Sequence, residues 1–175
     1  DNIHVFKGRL VHEIIEKLFE NTKYRNNMYE WCQEQLEKKW SLPAEIVVEN
    51  EDTHKQECLL MLRNFCFHFN NKIELAILDG KVKDKNHAWN LLRPRLREYS
   101  IFNDNLRLHG IIDSVEHNWE DTTFIVDYKT SKLFGNAVSD DYVRQLQFYA
   151  LLYSLDTGVT PSYASINYLR YGEVQ

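Results

Sequence analysis

Nowhere in the 175 residues does an uninterrupted apolar run approach the ~20 residues of a membrane-spanning helix, so the sequence offers no membrane segment. No secretory signal is visible, and there are only three cysteines, Cys32, Cys58 and Cys66, none in Cys-x-x-Cys spacing. An odd set on segments of helical pattern predicts reduced, partly buried thiols rather than a disulfide framework, and with them a reducing, cytoplasmic setting. Positive charge is also scarce. The formal net charge of -5 argues against indiscriminate binding of polyanions by the whole surface. Internal repeats and low-complexity tracts are lacking. What is there, 43% apolar and 27% charged residues, suits a globular chain of one domain that needs neither disulfide nor structural metal.

Apolar periodicity predicts a first helix over about 8–21, where Val11, Ile14, Ile15, Leu18 and Phe19 recur after Gly8, with His12 and Glu16 on its flank. Two more helical stretches, about 26–39 and 53–78, look like a helical insertion spanning about 24–90; the second carries Leu62, Cys66, Phe69, Ile73 and Ala76 at heptad-like spacing. Strand patterns follow at 96–102, 106–116 and 122–129, separated by Asn103-Asp104-Asn105 and by the polar stretch 118–121, which predicts three antiparallel strands. Beyond a Gly135-Asn136 loop, Ser139 caps a helix with an acidic first turn that runs to about 155, before Asp156-Thr157-Gly158. A last strand is expected over 163–171, then a turn at Gly172. The chain opens on Asp1 without an initiator methionine and stops at Gln175 where a hairpin partner is expected, so a longer protein is anticipated at one end or both.

Two aspartates and a lysine stand out. Side chains alternate along a strand, so Asp127 and Lys129 point the same way and Tyr128 points the other. Asp113 lies on the preceding strand, and register decides whether it meets Asp127. If it does, the oxygens suit a hard divalent cation such as magnesium or manganese. The competing reading of Asp-x-Lys is a surface ion pair, but Phe124-Ile125-Val126 runs straight into Asp127, placing these charges at the end of a buried strand. One basic segment also breaks the acidic trend. Lys81, Lys83, Lys85, Arg93, Arg95 and Arg97, with His87 and Trp89 interleaved, would give phosphate contacts and a stacking surface. Arg93, Arg95 and Arg97 alternate as if along one strand face; the alternative is a solvated connector.

In order, the chemistry-bearing residues are Gly8…His12…Glu16, Gly110-Ile111-Ile112-Asp113, Asp127-Tyr128-Lys129 and Gln145…Tyr149. This series resembles the PD-(D/E)XK nuclease superfamily, specifically the RecB-type nuclease domain of CRISPR-associated adaptation nucleases and repair exonucleases. It matches the G-x-x-x-H-x-x-x-E, G-x-x-D, D-x-K and Q-x-x-x-Y patterns over most of the chain. The resemblance implies an α/β domain of restriction-endonuclease-like fold, a mixed sheet flanked by helices with the insertion after the first helix. It further implies that His12, Asp113 and Asp127 ligate the metal, with the Tyr128 carbonyl as a further ligand, and that Lys129 orients or activates the attacking water. Glu98, on the strand before Asp113, is expected as an additional acid acting through water or a second metal, although a charge on an edge strand needs no special explanation. Gln145 and Tyr149 position Lys129 or the DNA, although i, i+4 spacing alone also fits core packing. Relatives of the adaptation-nuclease kind hold an iron-sulfur cluster with four cysteines near the two ends of the domain; no cysteine lies in those regions here, so no cluster is expected from these residues.

The expected activity is therefore magnesium- or manganese-dependent hydrolysis of DNA, by an exonuclease of repair, recombination or CRISPR adaptation, with a helicase or integrase-type partner. The alternative from another class is a nuclease-inactive module of the same fold that holds DNA or a protein. Retention of Asp113, Asp127 and Lys129 speaks against it, because a cluster of acids without a task costs stability through mutual repulsion.

Overall fold

A computed structural model describes residues 2–132 and 138–175. Helix α1 covers Ile3–Leu18, beginning earlier than its apolar stripe suggests because Asn2 caps it: the Asn2 side chain accepts from the backbone of His4 and Val5. Its Leu10, Val11, Ile14, Ile15 and Leu18 are buried at helical spacing. Helix α2, Met28–Lys39, and the long α3, Glu51–Leu78, pack against it, with Asn50 accepting from Thr53 N at the start of α3. Helix α4, Lys85–Leu92, was not expected. Its signals were short ones: Asp84 as a cap for His87 N, then Ala88, Trp89 and Leu92 buried on one face.

The five strands lie in the order β1 (Leu96–Asn103), β2 (Leu108–His117), β3 (Thr123–Lys129), β4 (Tyr163–Tyr168) and β5 (Glu173–Val174). The first three are antiparallel, as predicted. β4 joins β3 in parallel, so the connection must cross over the sheet, and α5 (Asp140–Thr157) makes that crossing. Ser139 caps α5 through Tyr142 N, and Gly158, at φ 74, ends it in the left-handed region that glycine tolerates. The expected final strand stops at Tyr168 instead of running to Tyr171; Gly172, at φ 63, turns the chain so that Glu173 and Val174 pair back with Tyr168 and Asn167. The Gly135-Asn136 loop lies outside the described residues.

Two cores flank this mixed sheet. On one face, Phe124, Val126 and Tyr128 pack with α1 to α4, where Phe19 meets Phe65 and Phe69 edge to face and Trp89 tilted, and Phe65 and Phe69 lie parallel. On the other, Ile101, Ile112, Val115 and Ile125 pack beneath Leu152 and Tyr153 of α5. Alternation along β3 therefore sends Val126 and Tyr128 towards α1 and leaves Asp127 and Lys129 on the α5 side. Among the described residues, no helix is long and apolar enough to cross a membrane.

Candidate active site

The β2–β3 ladder pairs Ser114 with Val126, and one step further in the same register Asp113 stands across from Asp127. The paired ladder ends one step short of them, at Ser114 and Val126. Reaching His12 on α1 needs a further device. Leu96 and Tyr99 on β1, and Ile112 and Val115 on β2, all belong to the core beneath α5, yet each pair is three residues apart. Strict alternation would put them on opposite faces, so both strands slip phase, at Arg97-Glu98 and at Asp113-Ser114. Glu98 carries the slip with a left-handed backbone, φ 44, a conformation costing a non-glycine residue roughly 1–2 kcal/mol. The outcome is that Glu98 and Asp113 turn towards α1.

There they meet His12. Its Nδ1 lies 3.2 Å from Glu98 Oε1 and 3.6 Å from Asp113 Oδ1, and its Nε2 lies 3.1 Å from the Tyr128 carbonyl oxygen. Tyr128 N donates to Asp113 Oδ2 at 2.6 Å. One ligand atom each from His12, Glu98 and Asp113 falls within 4.8 Å of the others, the one such group among the described residues. The trio differs from the expected set: Glu98, the residue with the least sequence support, stands inside it, and Asp127 stands outside. Asp127 is 4% exposed, and its Oδ2 forms an ion pair with Lys129 Nζ at 2.8 Å. Lys129 Nζ also donates to Gln145 Oε1 at 2.8 Å and sits 4.5 Å from the centroid of the Tyr142 ring. Gln145 Nε2 in turn donates to Tyr149 Oη at 3.0 Å. So Gln145 and Tyr149 form a chain from α5 to the lysine, as the i, i+4 spacing allowed.

Two glycines let the helices come this close. A Cβ on Gly8 would lie 3.2 Å from Thr130 Oγ1, the residue after Lys129, so the bare glycine brings α1 against the end of β3 and seats His12 one turn later. A Cβ on Gly110 would lie 2.8 Å from Leu152 Cδ1 and 3.2 Å from the Tyr149 ring, so this position sets the approach of α5 to β2.

Burial is the largest influence on the Asp113 carboxyl and pushes its pKa up to about 7; Asp127 and Glu98 push the same way, against His12 and the Tyr128 amide. Burial disfavours the His12 imidazolium, but the hydrogen bond to Glu98 and the charges of Asp113 and Glu98 outweigh it and raise the pKa. Glu16, one helical turn on, is also raised, by burial and then by Glu98. The His12–Glu98 pair opens onto a cavity of about 500 Å3 that Glu16, Glu13, Arg9 and Gly8 also line.

The basic segment is arranged otherwise than expected. Trp89 is fully buried and its Nε1 donates to the Asn21 carbonyl, so it presents no stacking surface. Only Arg97 lies on a strand. Arg93 and Arg97 donate to the Phe19 carbonyl and Arg93 also reaches Asn21 O, satisfying carbonyls left open at the end of α1, while Arg95 pairs with Asp121. The three guanidiniums therefore do not line one strand face. Lys85 pairs with Glu74; Lys81 and Lys83 are exposed.

A family model of the PD-(D/E)XK nuclease superfamily matches residues 4–173, a span that takes in every residue of this site. No curated protein matches the chain.

Proposed function

Because the chain belongs to the PD-(D/E)XK nuclease superfamily, we propose that it hydrolyses phosphodiester bonds in DNA with magnesium or manganese, as an exonuclease of RecB type. The observation that carries this reading is the His12–Glu98–Asp113 trio, one ligand atom from each within 4.8 Å of the others, with the Asp127–Lys129 ion pair on the neighbouring strand. Carboxylates gathered around one imidazole repel one another, as the raised Asp113 pKa reflects, and a bound cation relieves that repulsion. Hard oxygens from Glu98, Asp113, Asp127 and the Tyr128 carbonyl, with one imidazole nitrogen, make a donor set that fits manganese or magnesium.

His12, Asp113 and Asp127 would hold the ion, with Glu98 beside them. When bound, a divalent metal supplies a water of lowered pKa and offsets the charge of the phosphate. His12 faces an acceptor at each nitrogen, which suits the imidazolium; as a metal ligand it would have to be the neutral imidazole. Asp113, which accepts from the Tyr128 amide, would hold the metal as the carboxylate. Lys129, whose ammonium faces Gln145 and Asp127, would use its remaining N–H to orient the attacking water and its charge to stabilise the phosphate. Gln145 fixes the direction of that ammonium, and Tyr149 fixes Gln145. Exonuclease action, a role in repair, recombination or CRISPR adaptation, and a helicase or integrase-type partner rest on the order of the motifs.

The test is degradation of linear, nicked and circular DNA with manganese, magnesium or EDTA. Metal-dependent loss of the linear substrate with the circle intact is the expected result, and Asp113→Ala, Asp127→Ala and Lys129→Ala should each abolish it. Calorimetry covers the rival module: DNA binding indifferent to metal, with no manganese bound and no cleavage, would replace the nuclease reading.

A further inference from the structure

Immediately beyond Lys129, the residues Thr130, Ser131 and Lys132 line a cavity of about 330 Å3 together with His4, Lys7 and Arg170. Lys7 is 2% exposed, as deeply buried as the core leucines of the same helix. Its Nζ pairs with Glu57 Oε2 and lies 3.1 Å from His54 Nδ1. Arg170 Nη2 reaches the same Glu57 oxygen at 3.1 Å, and its Nε donates to the Thr130 carbonyl at 2.7 Å. One carboxylate therefore serves two cations that water scarcely reaches, since the Arg170 side chain is only 14% exposed. Burial works to raise the Glu57 pKa, but Lys7 and Arg170 together hold it down at about 2, so its single negative charge is fully present and fully engaged.

Glu57 is not among the residues lining the cavity; Lys7, Arg170, Lys132 and the Thr130 and Ser131 side chains are. Besides His4 and the apolar Met61, the wall is made of cationic and hydroxyl-bearing residues, with the carboxylate behind them and a net positive charge left over. An enclosed excess of one sign calls for a counter-ion, and this mixture of guanidinium, ammonium and hydroxyl donors matches the oxygens of a phosphate. Position points the same way. The cavity's Thr130, Ser131 and Lys132 follow Lys129 directly in the chain.

We infer that this cavity is a second phosphate subsite, which grips a phosphate group of the nucleic-acid strand neighbouring the one at Asp113 and Lys129. The inference rests on the nuclease reading only for the identity of that strand. The competing account is a purely structural tie, in which Lys7, Glu57 and Arg170 hold α1, α3 and the end of β4 together. Lys132 separates the two: it is exposed, it lines the cavity, and it takes no part in the Glu57 cluster.

The experiment uses the whole chain in EDTA, without turnover, and reads binding by anisotropy of labelled single-stranded oligonucleotides carrying a 5′-phosphate, a 3′-phosphate or neither. Lys132→Ala should weaken binding about 3–10-fold and lower the slope of log affinity against log salt by about 0.7. Lys7→Met, checked for folding by circular dichroism, should weaken it at least as much. Inorganic phosphate at matched ionic strength should raise the unfolding midpoint of the unmodified protein more than that of Lys132→Ala. A preference for one phosphorylated end identifies a terminal phosphomonoester as the ligand; equal affinities with the same loss in the variants identify an internal phosphodiester. Both uphold the subsite. Unchanged affinity and salt slope in folded Lys132→Ala and Lys7→Met would remove it, leaving the structural tie. Because no cleavage is read, a protein that binds phosphate here yet degrades nothing would refute the nuclease reading alone.

Discussion

His12 and Lys7 lie little more than a turn apart on the same helix, yet their surroundings carry opposite charge. Around His12 stand Glu98 and Asp113, with Asp127 across the next rung of the sheet. Around Lys7 stand Arg170, Lys132 and His54, with Glu57 as the shared anion. Neither side is balanced by its own side chains: the first has acids in excess and the second has cations in excess. A divalent cation would offset the one and a phosphate the other, and a metal-bound nucleic-acid strand brings both at once. Glycine at position 8 lets the backbone between the two regions press against Thr130, so α1 serves both with one surface.

The sharpest way to break this comparison is to remove an acid. Asp113→Asn keeps an oxygen to accept from Tyr128 N, so the local fold should hold while manganese-dependent cleavage falls by on the order of 10³-fold or more. Stability should move the opposite way. The Asp113 pKa is raised from its ordinary 3.8 to about 7, chiefly by burial. The native state therefore keeps a proton that the unfolded chain releases, and this group's contribution is complete below pH 4 and lost as pH climbs to about 7. His12, also raised, acts in the same sense at and above its ordinary 6.5. In urea titrations without metal, the unmodified protein should lose a few kcal/mol from these groups between pH 4 and pH 8. Asp113→Asn should flatten that decline and be the more stable protein at pH 8, and manganese should flatten it too by replacing the protons. A decline untouched by either change would mean that acids are not in excess at this site.

Much of this was legible in the residues, and the limits have physical causes. Asp113, Asp127 and Lys129 do lie on neighbouring antiparallel strands, because turn residues and period-2 patterning fix a hairpin's pairing from local sequence, but Asp113 stands in the middle of β2 and only Asp127 and Lys129 near a strand end. Gln145 and Tyr149 share a helix face by spacing alone, and they do reach Lys129. Glu98 could not be weighed in that way. Its entry into the trio depends on a positive φ that breaks strand alternation, and no residue type announces this, since the position is not glycine. The arginines misled for a related reason: Arg93-x-Arg95-x-Arg97 reads as one strand face, but Pro94 precedes the strand, and the carbonyls left open at the end of α1 claim two of the guanidiniums. Lys7 carried no signal at all, because its partners Glu57 and Arg170 are remote in sequence and their meeting is a product of tertiary packing.

A smaller effect sharpens the comparison from the α5 side. Lys129→Met removes the cation nearest Asp127 and should lower kcat by about 10²–10³-fold, while affinity for manganese holds or rises because the ammonium no longer competes for Asp127. Gln145→Leu leaves the ammonium in place and removes its anchor, so Gln145 acts as a positioning residue. The expected loss is about 10-fold in kcat with KM little changed, a split that a general loosening of α5 would not give. If Gln145→Leu raised KM and left kcat alone, the glutamine would belong to substrate binding and Lys129 would be positioned by Tyr142.

The smallest effect concerns the last link of that chain, where two changes at one contact have different consequences. Tyr149→Phe deletes the hydroxyl that accepts from Gln145 but keeps the ring against Gly110. The amide is half-buried and retains Lys129 as its partner, so a loss of about 2–5-fold in kcat and about 1 kcal/mol of stability is expected. Gly110→Ala leaves every hydrogen-bonding group in place, yet its methyl would come within 2.8 Å of Leu152 Cδ1, forcing α5 outward at a cost of about 1–3 kcal/mol. Thermal unfolding and single-turnover cleavage on the same two proteins separate the roles. Gly110→Ala should be the less stable of the two, and its activity should fall further, because displacing α5 moves Gln145 and Lys129 together. Equal activity in both would mean that the helix can shift against β2 without disturbing the lysine, and that the lysine's aim is set within β3 and by Asp127 alone.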